Sequence, residues 1–298
     1  MVPPPETPPK GSFGPNAWLV DDLYEQFLAD PTSVSASWRD FFAGYQRSAV
    51  PAVAPAPAAA APTPAAPPTS DDAGATPLRG AAARVVANMT ASLAVPTATS
   101  VRTVPARLLE INRATLNEWL ARTSGAKASF THLIAYAMVR AMRAVPSMNA
   151  TFVTAVDDRG TPGVVRHDHV GLGLAVDVAR PDGTRALLVP VIRDAESLGF
   201  RDFLFAYEDL VRRVHAGGAT ADDFVGATAT LTNPGTLGTV QSVPRLMPGQ
   251  GVIVGVGALG WPAGFDAADP RALAEVGVGR VVTLTSTYDH RIIQGAES

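Results

Sequence analysis

Apolar residues recur at helical spacing along several stretches of the chain, and the cleanest of these stretches lies between Ser129 and Pro146. Ser129 is a favourable N-cap, and Pro146 ends the helix because proline lacks a backbone N–H. The spacing predicts a helix with one buried face. Similar patterns predict helices over roughly 84–93, 106–120 and 203–214. The apolar stripe of the helix between Ser129 and Pro146 comprises Phe130, Leu133, Ile134, Ala137, Met138, Ala141, Met142 and Val145.

Short runs rich in β-branched and aliphatic residues predict strands. Helices and strands are interspersed, and strands dominate the last third of the chain. This order predicts an α/β fold, an α+β two-layer sandwich in which helices pack on a mixed sheet. The predicted strands cover residues 151–156, 170–176, 187–192, 229–232, 252–256 and 281–287.

Two shorter helices are predicted near the N-terminus. The first ends at Asp30-Pro31, because the residue before a proline is disfavoured in a helix, and a second apolar turn opens at Ser35. About thirty residues bury too little surface to fold alone. We therefore expect this segment either to dock on a partner or to pack on its own chain. Its apolar stripe consists of Trp18, Leu19, Leu23, Phe27 and Leu28.

A Pro- and Ala-rich stretch separates this segment from the rest of the chain. Such a composition samples polyproline II and acts as a semi-rigid spacer. The Pro-rich residues 1–15 are expected to be disordered. The chain of 298 residues is thus divided into a helical docking segment (1–47), a linker (48–83) and a globular domain (84–298).

Composition and charge exclude several classes of protein. The net charge of −3 without a basic run argues against nucleic-acid binding. The absence of cysteine excludes disulfides, Cys-based metal sites and a protein thiol nucleophile. No apolar run reaches the ~18–20 residues of a membrane helix, since Arg140 and Arg143 interrupt the best candidate. The start of the chain has no signal-peptide pattern, so we expect a cytoplasmic protein.

The strongest candidate for chemistry is a histidine at the end of the last predicted strand. His290 lies between Asp289 and Arg291 and is followed by Gly295. The ordinary pKa of histidine, ~6.5, allows it to take and return a proton near neutral pH. The alternative is a solvated Asp-His-Arg cluster on a surface turn.

Two other patterns have simpler structural explanations. Residues 255–260 match G-x-G-x-x-G, but a dinucleotide site needs a helix to begin at once, and Trp261-Pro262 breaks a helix. We expect these glycines to allow close backbone approach. His167-Asp168-His169 lacks a third ligand at metal-binding spacing, so we expect a solvated strand entry and no metal.

Thr232 and Asn233 close another predicted strand, ahead of Pro234-Gly235. They offer a hydroxyl and an amide at a turn. An ordinary Asx or ST turn has the same composition, so the pattern alone leaves both explanations open.

Four stretches occur in a fixed order: residues 145–150, 188–194, 231–235 and 289–295. Together they resemble the catalytic domain of the dihydrolipoamide acyltransferases, the E2 components of 2-oxoacid dehydrogenase complexes. The resemblance covers about residues 84–298. It implies the chloramphenicol-acetyltransferase fold and a homotrimer or a multiple of three, with the active site at a subunit boundary.

The N-terminal segment resembles a different component. Residues 16–24 and 30–39 are similar to the extreme N-terminus of the 2-oxoglutarate dehydrogenase E1 component. An E1-type segment, a Pro/Ala linker and an acyltransferase domain in this order resemble the fused actinobacterial 2-oxoglutarate dehydrogenases. In that family a final helix follows the catalytic turn, and an E1 domain that uses thiamine diphosphate and Mg²⁺ comes after it. We therefore expect the chain to be a fragment that ends before both.

The resemblance implies a role for each candidate residue. His290 is expected to be the general base that deprotonates coenzyme A, and Thr232 is expected to donate a hydrogen bond to the oxyanion. Asn233 and Asp289 are expected to support the two turns.

Gln294 departs from the family pattern. Free-standing enzymes carry Asp at this position, where it supports the active-site loop by pairing with an early arginine that Arg84 would match. Gln294 can form hydrogen bonds but cannot form that ion pair. The loop-holding role of Arg84 is therefore an open expectation.

The implied reaction is succinyl transfer from S-succinyldihydrolipoyl-lysine to coenzyme A in the citric acid cycle. The prediction that the acyl group is succinyl depends on the E1-like segment alone. No Asp-Lys-Ala lipoyl motif occurs upstream, so the lipoyl group is expected on the lipoyl domain of a separate acyltransferase, with dihydrolipoamide dehydrogenase as a further component. The alternatives are a catalytically silent scaffold, which Gln294 favours, and a free small-molecule acetyltransferase.

Overall fold

The computed structural model describes residues 13, 16–45, 78, 81–179, 183 and 185–298. The expected disorder of residues 1–15 falls almost entirely outside this part of the chain, and so does the extended linker. The helices described are α1 (Ala17–Ala29), α2 (Ala36–Ala43), α3 (Ala81–Ser92), α4 (Arg107–Thr123), α5 (Phe130–Ala144), α6 (Phe200–His215) and α7 (Pro270–Glu275). The strands are β1 (Thr97–Pro105), β2 (Ala150–Val153), β3 (Gly163–Arg166), β4 (Leu172–Leu174), β5 (Val176–Ala179), β6 (Arg185–Leu188), β7 (Val191–Ile192), β8 (Ala229–Thr232), β9 (Val252–Val256) and β10 (Val281–Asp289).

A six-stranded sheet forms the centre of the fold, in the order β1-β10-β9-β8-β4-β7. Strand β8 runs parallel to β4 and β9, and the other neighbours are antiparallel. The pairs β2–β3 and β5–β6 form separate ribbons. Residues of α5 and α6 share one apolar core with this sheet. The predicted mixed sheet with helices packed on it is confirmed.

Helix α5 begins where its sequence predicts. Ser129 Oγ accepts from the backbone N–H of His132, and His132 Nδ1 accepts from the N–H of Ser129, which closes a capping box. The predicted apolar stripe is partly wrong. The helix buries Ala135 and Val139, whereas Ala137 is exposed along an apolar groove of about 640 Å³ between α5 and the sheet.

Strand β1 departs from the sequence prediction, which has no strand before residue 151. Five of its nine residues are threonine or valine, which favour strands, and all nine pair with β10. The hydroxyl oxygens of Thr99 and Thr287 lie 2.8 Å apart across this pair. The predicted strand 170–176 is divided between β4 and β5 at Ala175, whose N–H donates to the Leu231 carbonyl of β8 at 2.9 Å.

The N-terminal helices pack on the globular part of their own chain. The Asn16 side chain is fully buried, donates to the carbonyl oxygens of Val189 (2.7 Å) and Phe224 (2.9 Å), and accepts from the N–H of Val189 (3.0 Å). Trp38 Nε1 donates to the Ala219 carbonyl at 3.1 Å. The expected packing on its own chain is observed, and docking on a partner stays a prediction. None of the described helices has both the length and the apolar composition needed to cross a bilayer.

Candidate active site

Strand β10 leads the predicted histidine into a tight turn. The N–H of Asp289 donates to the Gly251 carbonyl at 3.0 Å, and the N–H of His290 donates to the Pro96 carbonyl at 2.9 Å. The Asp289 carbonyl accepts from the N–H of Ile293 at 3.0 Å, which closes the turn. The backbone therefore holds His290 at the strand end, and the residue is exposed.

A hydrogen bond within the turn sets the tautomer of His290. Its Nδ1 lies 2.9 Å from the carbonyl oxygen of Ile293. Because a carbonyl oxygen only accepts hydrogen bonds, Nδ1 carries the proton and Nε2 of the neutral ring holds the free lone pair. Nε2 has no hydrogen-bond partner among the described residues. It is available to take a proton from a substrate.

Asp289 and Arg291 form a bidentate ion pair on either side of His290. Arg291 Nε lies 2.9 Å from Asp289 Oδ1, and Arg291 Nη2 lies 2.6 Å from Asp289 Oδ2. Since the Asp289 side chain is only 3% exposed, the pair compensates a carboxylate removed from water. The guanidinium carbon of Arg291 also lies 3.7 Å from the centre of the Phe152 ring. Sequence reasoning missed Phe152, because it comes from the distant strand β2.

Thr232 and Asn233 lie at the end of β8, as predicted. The Thr232 hydroxyl forms no hydrogen bond within the described part of the chain, whereas the Asn233 side chain donates to Thr131 Oγ1 at 2.7 Å. A Cβ added to Gly235 would collide with the backbone of residues 255–260. That stretch therefore provides close backbone approach, as expected. The turn is tied to α5 and presents a free hydroxyl at its start.

One chain does not bring Thr232 and His290 together. Thr232 pairs with Gly255 of β9, and Gly255 pairs with Thr285 of β10, so Thr232 lies in the row of Thr285. Tyr288 of β10 pairs with Val252, which pairs with Ala229 at the opposite end of β8 from Thr232. Asp289 lies one residue further along β10 than Tyr288. At about 3.4 Å per residue and about 4.8 Å per strand, Thr232 and Asp289 are on the order of 17 Å apart.

Gln294 is exposed, and only its backbone forms hydrogen bonds with described residues. Its N–H donates to Glu297 Oε2 at 2.7 Å. The ion pair that the turn does contain joins Asp289 to Arg291. The side chain of Arg84 lies outside the described part of the structure, so its loop-holding role stays a prediction.

The second histidine motif forms a charge cluster of its own. His169 Nδ1 lies 2.8 Å from Glu196 Oε1 and 3.3 Å from Asp194 Oδ1. The hydrogen bond to Glu196 and the charge of Asp194 raise the pKa of His169. The motif lies in the loop between β3 and β4 rather than at a strand entry, and the exposed His169 and Asp194 and the half-buried Glu196 compensate one another's charge.

The first turn of α5, which anchors Asn233, contains a buried histidine. Nδ1 of His132 accepts from the N–H of Ser129 at 3.0 Å, and its Nε2 lies 3.1 Å from Glu208 Oε1. Burial lowers the pKa of His132 to about 4. Protonation would also remove the acceptor that the capping box needs, so His132 is neutral at pH 7.

The fold and the two turns are those of an acyltransferase catalytic domain. Residues 70–298 match the family described as 2-oxoacid dehydrogenases acyltransferase (catalytic domain). Because this match covers most of the chain, the chain belongs to that family. Residues 12–49 match a second family, described as 2-oxoglutarate dehydrogenase N-terminus.

Curated relatives carry both parts in one chain. The multifunctional 2-oxoglutarate metabolism enzyme of Mycolicibacterium vanbaalenii is 47% identical and matches 96% of this chain. The 2-oxoglutarate dehydrogenase E1/E2 component of Corynebacterium glutamicum is 46% identical over the same share. This chain spans about a quarter of the length of these relatives, 27% and 26%.

Solved structures share the fold at low sequence identity. The dihydrolipoamide acetyltransferase of Azotobacter vinelandii, studied for the catalytic roles of a serine, a histidine and an asparagine, has a TM-score of 0.63 and 24% identity, covering 79% of this chain and 92% of that one. A probable dihydrolipoamide acetyltransferase from Listeria monocytogenes has a TM-score of 0.62 and 22% identity, covering 76% and 90%. The cubic core of a pyruvate dehydrogenase multienzyme complex has a TM-score of 0.63 and 24% identity, covering 79% and 92%. These likenesses establish the fold.

Proposed function

We propose that this chain catalyses succinyl transfer from S-succinyldihydrolipoyl-lysine to coenzyme A in a 2-oxoglutarate dehydrogenase. Membership of the acyltransferase family supports the type of reaction. The N-terminal match and the names of the relatives, which specify 2-oxoglutarate, support a succinyl group. The observation that carries the proposal is the free Nε2 of His290, presented by an ordered turn.

His290 acts as the general base in this proposal. A thiol with a pKa near ~8.5 is only a few per cent ionised at pH 7, so Nε2 accelerates the reaction by taking the proton of the coenzyme A thiol. The thiolate sulfur attacks the thioester carbonyl carbon, and the bond from that carbon to the dihydrolipoyl sulfur then breaks. The imidazolium returns its proton to the leaving sulfur. The products are succinyl-CoA and dihydrolipoyl-lysine.

Thr232 stabilises the tetrahedral intermediate between these two steps. Negative charge develops on the former carbonyl oxygen, and a hydroxyl without another partner can donate to it. Loss of one such donor typically lowers the rate by ~10²–10³. Asn233 holds the turn that presents this hydroxyl.

The active site combines residues of two copies of the chain. Because Thr232 and His290 lie far apart within one chain, Thr232 of one subunit would face His290 of the next. A closed ring of three subunits supplies both residues at each boundary and leaves no subunit unpaired. We therefore propose a trimer or a multiple of three. A fold neighbour described as a cubic core supports such an assembly.

The proposed partners and the other cofactors are not assigned to residues of this chain. The acyl group arrives on the lipoyl domain of a separate acyltransferase, and dihydrolipoamide dehydrogenase reoxidises the lipoyl group. Thiamine diphosphate and Mg²⁺ belong to an E1 domain, and no residue of this chain is assigned to them. The relatives are bacterial metabolic enzymes by name, which supports a cytoplasmic location.

The test is coenzyme A-dependent loss of succinyl groups from a purified succinylated lipoyl domain. The assay compares the full-length protein with its His290→Gln and Thr232→Val variants. The first change is expected to lower turnover by ~10²–10⁴, because a general base is lost. The second is expected to cost ~10²–10³, and less than the first.

Each outcome separates one explanation from another. Comparable turnover in the wild type and His290→Gln would contradict the assignment of the base. A wild-type protein without turnover would favour a silent scaffold. Faster transfer to small-molecule acceptors than to coenzyme A would favour a free acetyltransferase.

A further inference from the structure

We propose that Arg291 and Phe152 are positioning residues that aim the ring of His290. The inference rests on the proposed function, in which His290 is the general base. Neither residue is required by the chemistry itself. Both act through the geometry of the turn.

The turn is anchored at its two ends by contacts that do not involve Arg291. The Nδ1 contact of His290 and the backbone bond that closes the turn both involve Ile293, whose side chain is fully buried in the core. The backbone bonds to Pro96 and Gly251 hold only the start of the turn. Arg291, directly after His290, is the first side chain beyond it that reaches another element, at Phe152 of β2.

The guanidinium of Arg291 has two partners at once. Two of its nitrogens meet both oxygens of the Asp289 carboxylate, and its central carbon lies over the Phe152 ring. A planar fork can satisfy both contacts in one orientation, whereas a lysine ammonium is a point charge that satisfies neither geometry fully. The backbone on both sides of His290 is therefore held against the β2–β3 ribbon.

The turn holds one ion pair, Asp289 with Arg291, and Gln294 adds no second one among the described residues. The Asp289 carboxylate is buried and needs a partner, and Arg291 is 31% exposed at its side chain, between protein and solvent. The charge pair therefore flanks the histidine directly. Misplacement of a reacting group by ~1 Å can lower a rate ~10²-fold, so a modest change here is expected to be visible in kcat.

The experiment measures steady-state kinetics of the full-length protein with a succinylated lipoyl domain, well below the melting temperature. Arg291→Lys and Phe152→Leu are each expected to lower kcat by about tenfold to about a hundredfold with KM for coenzyme A unchanged. Phe152→Tyr keeps the ring and should restore wild-type kcat. Arg201→Lys is the matched control, because Arg201 lies over the exposed Phe205 ring at 5.8 Å on α6.

A second readout follows the imidazole directly. Nitrogen NMR of His290 should show the Nδ1–H tautomer in the wild type and in Arg291→Lys, because the bond to the Ile293 carbonyl does not involve Arg291, so a lowered kcat with an unchanged tautomer locates the loss in the direction of the ring. The double variant Arg291→Lys with Phe152→Leu should be no slower than the slower single variant, since both changes break the same contact.

Three results would overturn the inference. Unchanged kcat with a lowered melting temperature would make the contact purely structural. A raised KM with unchanged kcat would make it a substrate contact. Equal losses in Phe152→Leu and Phe152→Tyr would show that the aromatic ring does not position His290. Full turnover in His290→Gln would instead refute the proposed function, so the two failures are distinguishable.

Discussion

The side-chain amide of Asn233 donates to the hydroxyl of Thr131 at 2.7 Å, and this bond joins the turn after β8 to the first turn of α5. The capping box of Ser129 and His132 closes the same first turn. Thr232 directly precedes Asn233, so the position of its free hydroxyl depends on the start of a helix that is distant in sequence.

Thr131→Val is expected to lower kcat about fivefold, because one hydrogen bond contributes about 1 kcal/mol to holding the Thr232 turn. Asn233→Ala should have a similar effect, and the two changes together should not be additive. Turnover of the succinylated lipoyl domain measures the change. Thr131→Ser keeps the hydroxyl and serves as the control, and an equal loss in that variant would contradict the role of the bond.

Co-expression of His290→Gln with Thr232→Val is expected to restore activity, because each variant supplies the residue that the other lacks. With random mixing in a ring, about a quarter of the subunit boundaries contain both intact residues, so turnover should approach about a quarter of the wild-type value. The measurement is turnover of the purified mixed oligomer. Activity no higher than that of the separate variants would show that one chain completes its own site.

Asn16→Ala is expected to lower the free energy of unfolding by about 3 kcal/mol, because three buried backbone groups of Val189 and Phe224 lose their partner. Urea unfolding measures the change, and faster hydrogen exchange across residues 16–45 should accompany it. Gln26→Ala on the exposed face of α1 is the matched amide control and should stay within ~0.5 kcal/mol. Similar costs at the two positions would contradict docking through Asn16.

His132 is expected to make stability fall on acidification. Its pKa is about 4 in the folded chain against an ordinary value of 6.5, so the unfolded chain binds the proton first. The stabilisation is complete above pH 6.5 and is lost between about pH 6.5 and about pH 4, on the order of 3 kcal/mol. The facing Glu208 carboxylate is 58% exposed, and solvent screens its opposing effect.

The control for this pH dependence is His132→Gln, which can still close the capping box but does not titrate. Urea unfolding of both proteins from pH 7.5 to 4 gives the difference, in which the other titrating groups cancel. The variant should lose less stability than the wild type across the window. Parallel curves would contradict a depressed pKa of His132.

Local patterns were sufficient for the elements with strong local signals. The helix capped by Ser129 and the strands β8 and β9 lie where spacing predicts them, because their apolar periodicity and turn residues agree with the final packing. Strand β1 was missed although threonine and valine make up five of its nine residues, because it contains no continuous apolar run and its partner β10 is distant in the chain. The offset of the buried face of α5 was also missed, because periodicity does not specify which neighbour covers a stripe.

The sequence by itself determined the two turn motifs, the order of the elements and the resemblance to an acyltransferase family. Only the tertiary structure decided that Thr232 and His290 lie apart in one chain. It also decided that Asn16 binds the domain that follows it in the sequence and that the Arg291 guanidinium lies over the Phe152 ring. These relationships depend on strand register and on contacts between residues far apart in the chain. Periodicity along the sequence shows which face of a helix or strand is buried. It does not show which other element covers that face or in which register two strands pair, because those partners are distant in the chain.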